Sequence, residues 1–155
     1  MPQSKNLLLA FSCLLSLSLP SCSTSPCQPD KERFLHAYYE LLDEAKQADL
    51  PVSDPAWGKY DERFRAYVEE CYEVHEPAMS RRERRKFWSR SLSYYYQRYG
   101  DGVAKELKGS SRTSKRMKEA VEALWDSPEA AFDDALRGAR NDWRELKSKM
   151  KEVFE

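Results

Sequence analysis

Glycine is scarce in this chain: 155 residues contain five. No glycine-rich phosphate loop, no G-x-S-x-G elbow and no H-E-x-x-H occurs, which removes the usual sequence marks of nucleotide binding, serine hydrolysis and zinc proteolysis. Histidine is scarcer still, with His36 and His75 alone. Neither has a second His or Cys at metal-ligand spacing, so no metal site and no cofactor is expected. Long apolar runs are missing as well. The apolar stretch near the start, residues 7–19, has thirteen residues, too few to cross a bilayer about 30 Å thick as a helix. A deficit of aromatic residues, the mark of disorder, is not found: they make up 12% beside 34% charged residues.

That thirteen-residue run has a function in its setting. Lys5 supplies a short positive region, residues 7–19 form the apolar stretch, and Leu19-Pro20-Ser21-Cys22 follows. This is the layout of an export signal. With Leu at −3 and Ser at −1, it resembles the lipobox of bacterial lipoproteins. The resemblance implies a diacylglycerol on the Cys22 thiol, cleavage before Cys22, and an acyl chain such as palmitate on the freed amine. An ordinary secretory signal cut nearby is the alternative. Pro20 is an unusual residue at −2. Cys13 lies inside the apolar stretch and Cys27 follows Pro26, so both fit the pattern less well. Two or three acyl chains would hold the protein stably on a membrane, at about 0.8 kcal/mol per buried methylene. Ser23 follows the cysteine where an inner-membrane protein of this type would carry Asp, so the resemblance implies the outer membrane. Three segments are therefore expected: a signal peptide over 1–21, a small, polar, proline-containing tether over 22–29, and a domain over 30–155. Whether that domain faces the periplasm or outward is not legible.

The domain reads as all-α, an antiparallel bundle of four to five helices, because its apolar residues recur at threes and fours and glycine is so rare. Phe34, Leu35, Tyr38, Leu41, Leu42 and Ala45 mark a first helix over about 30–48. Asp54 is expected to cap a second, with Pro55 at its first position and Trp57, Tyr60, Phe64, Tyr67, Val68, Cys71, Tyr72 and His75 facing the core. Ser80 and Glu83 form a capping box for a third helix, with Trp88, Leu92, Tyr95, Tyr96 and Tyr99 on its apolar face and a stop at Gly100 and Gly102. Val103 and Leu107 open a fourth pattern, interrupted near Gly109 before Met117, Val121, Leu124 and Trp125 resume it. Ser127 and Pro128 precede a last helix carrying Phe132, Leu136, Ala139, Trp143, Leu146, Met150 and Val153.

Residues 54–108 resemble the all-helical domain of unknown function found in small bacterial envelope lipoproteins. The matching features are Trp57 and Tyr60 opening a helix and Phe64, Tyr67 and Tyr72 along it. Then come the start Met79-Ser80 with Glu83, the ending Gln97-Arg98-Tyr99 and the turn Gly100-Asp101-Gly102. The resemblance implies a helical lipoprotein and carries no catalytic residue.

Charge is unevenly placed although the whole chain is neutral. Residues 30–76 hold 6 basic and 13 acidic groups, residues 77–118 hold 13 and 3, and residues 119–155 hold 6 and 10. Mutual neutralisation of neighbouring helices is the plainer account. The functional account is a basic surface centred on Arg81, Arg82, Arg84, Arg85, Lys86 and Arg90. Its partner would be anionic: lipid headgroups, cell-wall polymer or an acidic protein. Nucleic acid does not suit an exported chain. Tyr94, Tyr95, Tyr96 and Tyr99 are either core or a stacking platform for sugar, with core the simpler assignment. Glu73 and Glu76 flank His75 as any charged helix face would. The expected function is a lipid-anchored binding or structural module without chemistry. An adaptor using the basic helix is the alternative, and a small hydrolase working through Glu/His pairs is the remotest reading. Cys27 and Cys71 are expected to stay unpaired, one in the tether and the other a small hydrophobe on a buried stripe.

Overall fold

A computed structural model describes residues 27–125 together with Ser148, with side chains assigned through Ala123. The expected export signal, Cys22, most of the expected tether, the Leu124 and Trp125 side chains and the last expected helix lie outside the described residues.

Helix α1, Lys31–Ala48, begins where a carboxylate can satisfy a free backbone donor. The Asp30 side chain accepts from the Arg33 N–H at 2.8 Å. It ends at Asp49, which adopts φ 46°, a left-handed conformation that a short polar side chain tolerates. The buried residues are the six expected from spacing, with Phe34, Tyr38, Leu41 and Ala45 fully enclosed.

The second helical rod is segmented. Helix α2 spans Trp57–Ala66, a π-helical turn covers Tyr67–Cys71, α3 continues over Tyr72–His75, and a 3₁₀ turn occupies Glu76–Ala78. The Tyr72 N–H reaches the Tyr67 carbonyl, the wider loop that defines the π turn. The eight-residue core stripe is buried along its whole length. The expected start at Asp54 is corrected. Its side chain accepts from the Ala56 N–H at 2.8 Å and its carbonyl from the Trp57 N–H at 3.2 Å. The first turn after Asp54 is closed by i→i+3 bonds, Trp57 to Asp54 and Gly58 to Pro55, so the α-helical run begins only at Trp57. The Trp57 indole donates to the Pro51 carbonyl at 2.9 Å and closes the loop.

Helix α4, Arg81–Tyr99, has the expected capping box in full. Ser80 Oγ accepts from the Glu83 N–H, and the Glu83 carboxylate accepts from the Ser80 N–H at 2.7 Å. Its buried face is broader than the expected stripe. Leu92 and Tyr95 are buried as expected, but so are Phe87, Ser89, Ser91 and Tyr94, while Trp88, Tyr96 and Tyr99 are half-buried. The reason is position: α4 packs against α1 on one side and against α6 on the other. Ser91 is small enough to bring α1 close, where its Oγ meets the Tyr38 hydroxyl at 2.6 Å. A 3₁₀ turn, Gly100–Gly102, ends the helix at Gly100, whose φ of +50° favours glycine. Helices α5, Val103–Leu107, and α6, Arg112–Trp125, flank the break expected near Gly109.

Successive contacts set the directions. Lys31 pairs with Glu83 at 3.0 Å, Tyr38 with Ser91, and Gln97 donates to the Ala45 carbonyl at 3.2 Å, so α1 and α4 run parallel. Arg63 pairs with Glu44 near the end of α1, while Cys71 meets Cys27 at its start, so α2–α3 runs the opposite way. Tyr95, in the last turns of α4, lies beside Ser114 at the start of α6, while Ala120 and Ala123 of α6 face Arg81 and Arg85 at the start of α4. The result is an up-down-up-down bundle, all-α among the described residues. One end, called basal here, gathers the starts of α1 and α4 with the end of α3.

The two cysteines are bonded, which corrects the expectation of free thiols. Cys27 and Cys71 form a disulfide with Cα atoms 4.8 Å apart across 44 positions of sequence. The tether's last residues do not hang free: the Gln28 carbonyl accepts from His75 Nε2 at 3.0 Å and delivers Cys27 to the π turn. No other pair in the fold is linked over so long a loop by a covalent bond among the described residues.

Two stability tests follow from this arrangement. Phe34→Ala removes the ring that touches Tyr38, Tyr67, His75 and Phe87, and denaturant unfolding should show a loss of about 3–5 kcal/mol. Replacing both Cys27 and Cys71 by Ser should cost about 4 kcal/mol by loop-closure entropy. A variant pair with an unfolding midpoint equal to wild type would show that the bond is not formed.

Candidate functional site

The six basic residues singled out by sequence lie on two faces of α4. Arg82, Lys86 and Arg90 recur at fours, and Lys86 and Arg90 reach α1. Lys86 Nζ stands 4.8 Å from the centre of the Tyr39 ring, and the Arg90 guanidinium 5.5 Å from it. Arg90 also pairs with Asp43 of α1. Beside these cations the buried Tyr39 hydroxyl has no hydrogen-bond partner, and burial pushes its ionisation up to about 12. These contacts match the neutralising account of the charge pattern.

Arg81, Arg84 and Arg85 lie on the other face. With Tyr72, Glu76, Trp88, Ala120 and Ala123 they line a groove of about 340 Å³ between α3, α4 and α6. The spacing 81, 84, 85, 88 is one helical face, which puts three guanidiniums around an indole. Trp88 Nε1 donates to the Tyr72 hydroxyl at 3.0 Å, and that hydroxyl donates to Glu76 at 3.3 Å. Both aromatic side chains are thereby held in place. Arg84 reaches back to the Met79 carbonyl at 3.2 Å, which closes the connection between the 3₁₀ turn and α4. Planar guanidiniums bind carboxylate or phosphate in two-point contacts, and an aromatic floor suits their stacked faces.

A second cleft, of about 410 Å³, opens at the opposite end of the bundle, lined by Asp61, Glu62, Arg65, Glu69, Tyr95, Tyr99, Glu106, Ser111 and Thr113 among others. Three of its four carboxylates are already engaged, and the fourth, Glu62, is exposed. Asp61 accepts from Tyr94 at 2.7 Å and Arg98 at 2.8 Å, Glu69 from Thr113, and Glu106 from Ser114 at 3.3 Å. Burial, reinforced by the Asp61 hydrogen bond, pushes the Tyr94 hydroxyl far above its ordinary range. These groups fasten helices together. Sequence reading had no signal for them, since the partners are 33, 37 and 44 positions apart for Asp61 and Glu69.

The tyrosine cluster divides in the same manner. Tyr94 stacks on Phe64 at 4.3 Å and Tyr95 packs edge-on against Tyr99, so both belong to the core, while Tyr96 is half-buried. The histidines do not meet. His36 is exposed, 3.3 Å from Glu40. His75 is buried, stacks on Phe34 at 4.6 Å and donates through Nε2, because a carbonyl can only accept. Glu73 is drawn away to Arg112 and Arg116 of α6. Among the described residues no cluster of His, Cys, Asp and Glu could hold a metal ion, and no helix is long and apolar enough to cross a membrane.

Residues 44–155 match the family described as a domain of unknown function, DUF6565. The chain belongs to the DUF6565 family. The match takes in the groove, the second cleft and Cys71, and begins inside α1, after Cys27 and most of that helix. No curated protein and no solved structure matches the chain.

Glu83 provides a pH test at the edge of this site. The Ser80 N–H and hydroxyl, then Lys31, hold its carboxyl down to about 2 from an ordinary 4.5. A depressed acid contributes stability that is present above the ordinary value and is lost as pH falls through the folded one. The melting-temperature gap between wild type and Glu83→Gln should therefore be full at pH 7 and close between pH 4.5 and 2. A cap of this kind is worth about 1 kcal/mol, the group being largely exposed.

Proposed function

We propose that this DUF6565 protein is a lipid-anchored helical binding module of the bacterial cell envelope, acylated at Cys22 and carried on the outer membrane, with no chemistry of its own. The observation that carries the reading is the Cys27–Cys71 disulfide. Disulfides persist in oxidising compartments, and export through the lipobox-like Leu19–Cys22 segment would bring the chain to one. The two features are independent of each other, one a signal pattern and the other a contact between the segment before α1 and the π turn.

The binding surface in this reading is the groove of Arg81, Arg84 and Arg85 over Trp88, and its ligand is an anionic envelope component. An adaptor that grips an acidic partner protein through the same groove is the second reading, favoured by the fixed indole at its floor. Hydrolysis through a Glu/His pair is the remotest reading: His75 spends its Nε2 proton on the Gln28 carbonyl, and the pair that does form, His36 with Glu40, lies exposed on α1.

The anchor is tested directly. Cells expressing the wild type should incorporate labelled palmitate into the protein and retain it in the membrane fraction. Cys22→Ser should abolish both. A Cys22→Ser product that still takes up palmitate and sediments with membranes would sink the reading.

A further inference from the structure

We infer that the disulfide turns the anchor into an orienting device, which presses the arginine-rich basal end of the bundle against the anionic phospholipid surface of the membrane that holds it. The inference rests on acylation at Cys22 and names the partner of the basic groove. Its first element is tether length. Five residue steps separate Cys22 from Cys27, and at about 3.6 Å each the reach is about 18 Å. Without the bond the tether would extend to Asp30, where α1 begins, eight steps or about 29 Å. Helix α4, with 19 residues at 1.5 Å each, is about 28 Å long. A tether as long as the bundle lets the domain turn over and present either end. One of 18 Å does not.

The second element is what lies at the tethered end. Cys27 precedes α1 by four residues and is bonded to Cys71, one turn before the end of α3. Lys31, in the first turn of α1, pairs with Glu83 in the first turn of α4 at 3.0 Å. Arg81, Arg82, Arg84 and Arg85 therefore belong to the end that the bond ties down. Several acids there have local occupations, Asp30 with Arg33, Glu83 with Lys31 and the Ser80 cap, Glu76 with Tyr72, while Glu119 and Glu122 stand exposed on the facing stretch of α6. Glu32 pairs with Lys31 as well. Arg81, Arg84 and Arg85 flank a groove between helices, and α4 directs its positive N-terminal end the same way. Screening in physiological salt acts over about 8 Å, so these charges sense the headgroups only if this end faces them. A lipid chain together with a basic patch is a two-signal anchor.

The experiment places a photo-crosslinking benzoylphenylalanine at Ala78, exposed at the basal end, or at Ser53, exposed at the far end. The full acylated protein is reconstituted in vesicles of phosphatidylethanolamine with phosphatidylglycerol. Position 78 should crosslink to lipid at least fivefold more than position 53. That excess should fall in vesicles without phosphatidylglycerol, in 1 M salt, and when Arg81, Arg82, Arg84 and Arg85 are all Gln. Cys27→Ser should raise the yield from position 53. Equal yields from the two positions, insensitivity to the arginines, or crosslinks from position 78 mainly to residues 126–155 of the same chain would overturn the inference. Palmitate labelling is read on the same samples. A labelled protein with the wrong pattern defeats the orientation alone, whereas an unlabelled one defeats the anchor and the orientation with it.

Discussion

The fold depends on the contact of α1 with α4 through rings. Phe34 and Tyr38, one turn apart, meet Phe87 at 5.9 and 4.3 Å, and Tyr38 adds Phe64 and Tyr67 from the opposite rod. Each fully buried aromatic removes about 150–250 Å² from water, a gross contribution of roughly 4–6 kcal/mol at 25 cal/mol per Å². A surface ion pair contributes about 0–1 kcal/mol. The bundle is therefore an aromatic core with charges arranged around it. Replacing an exposed arginine should change partners long before it changes the fold.

Within that core the polar groups serve alignment. The Tyr38 hydroxyl would be costly to bury alone, and Ser91 supplies its partner while leaving room for α1 to approach. The Asp61 carboxylate, shared by Tyr94 and Arg98, sets the register of α2 against α4, and Arg98 also reaches the Val52 carbonyl in the loop before α2. Glu73, held by Arg112 and Arg116, does the same for α6. The acidic block over 30–76 and the basic block over 77–118 thus become neighbouring helices that neutralise one another in part. What this leaves over is a basic end, where Arg81, Arg84 and Arg85 surround Trp88 in a groove instead of pairing across a helix interface.

Much of this was legible from residue order. The buried face of α1, the stripe from Trp57 to His75, the Ser80–Glu83 capping box and the stop at Gly100 all follow from periodicity and cap chemistry. These are local rules: a helix buries every third or fourth residue, and an N-terminal donor takes the nearest suitable oxygen. The same rules misjudged α4 because a single stripe assumes a single neighbour. Phe87 faces α1 and Tyr94 faces α2, and nothing in the spacing reveals how many helices surround a third. The start of α2 failed for a different reason, since Asp54 serves a tight turn as readily as a helix cap.

By itself the sequence determined the helical class, the helix boundaries among the described residues to within a few positions, and the uneven charge, because each of these depends on residues close along the chain. Tertiary structure alone decided which arginines share a surface, that Asp61 and Glu69 are fasteners, and that Cys27 returns to Cys71. Those outcomes depend on contacts 33 to 44 residues apart, and no local rule reaches across such a loop. The π turn stands between the two. It is a local irregularity, yet its last residue is the cysteine that joins the tether to the bundle, and only packing reveals that the two belong together.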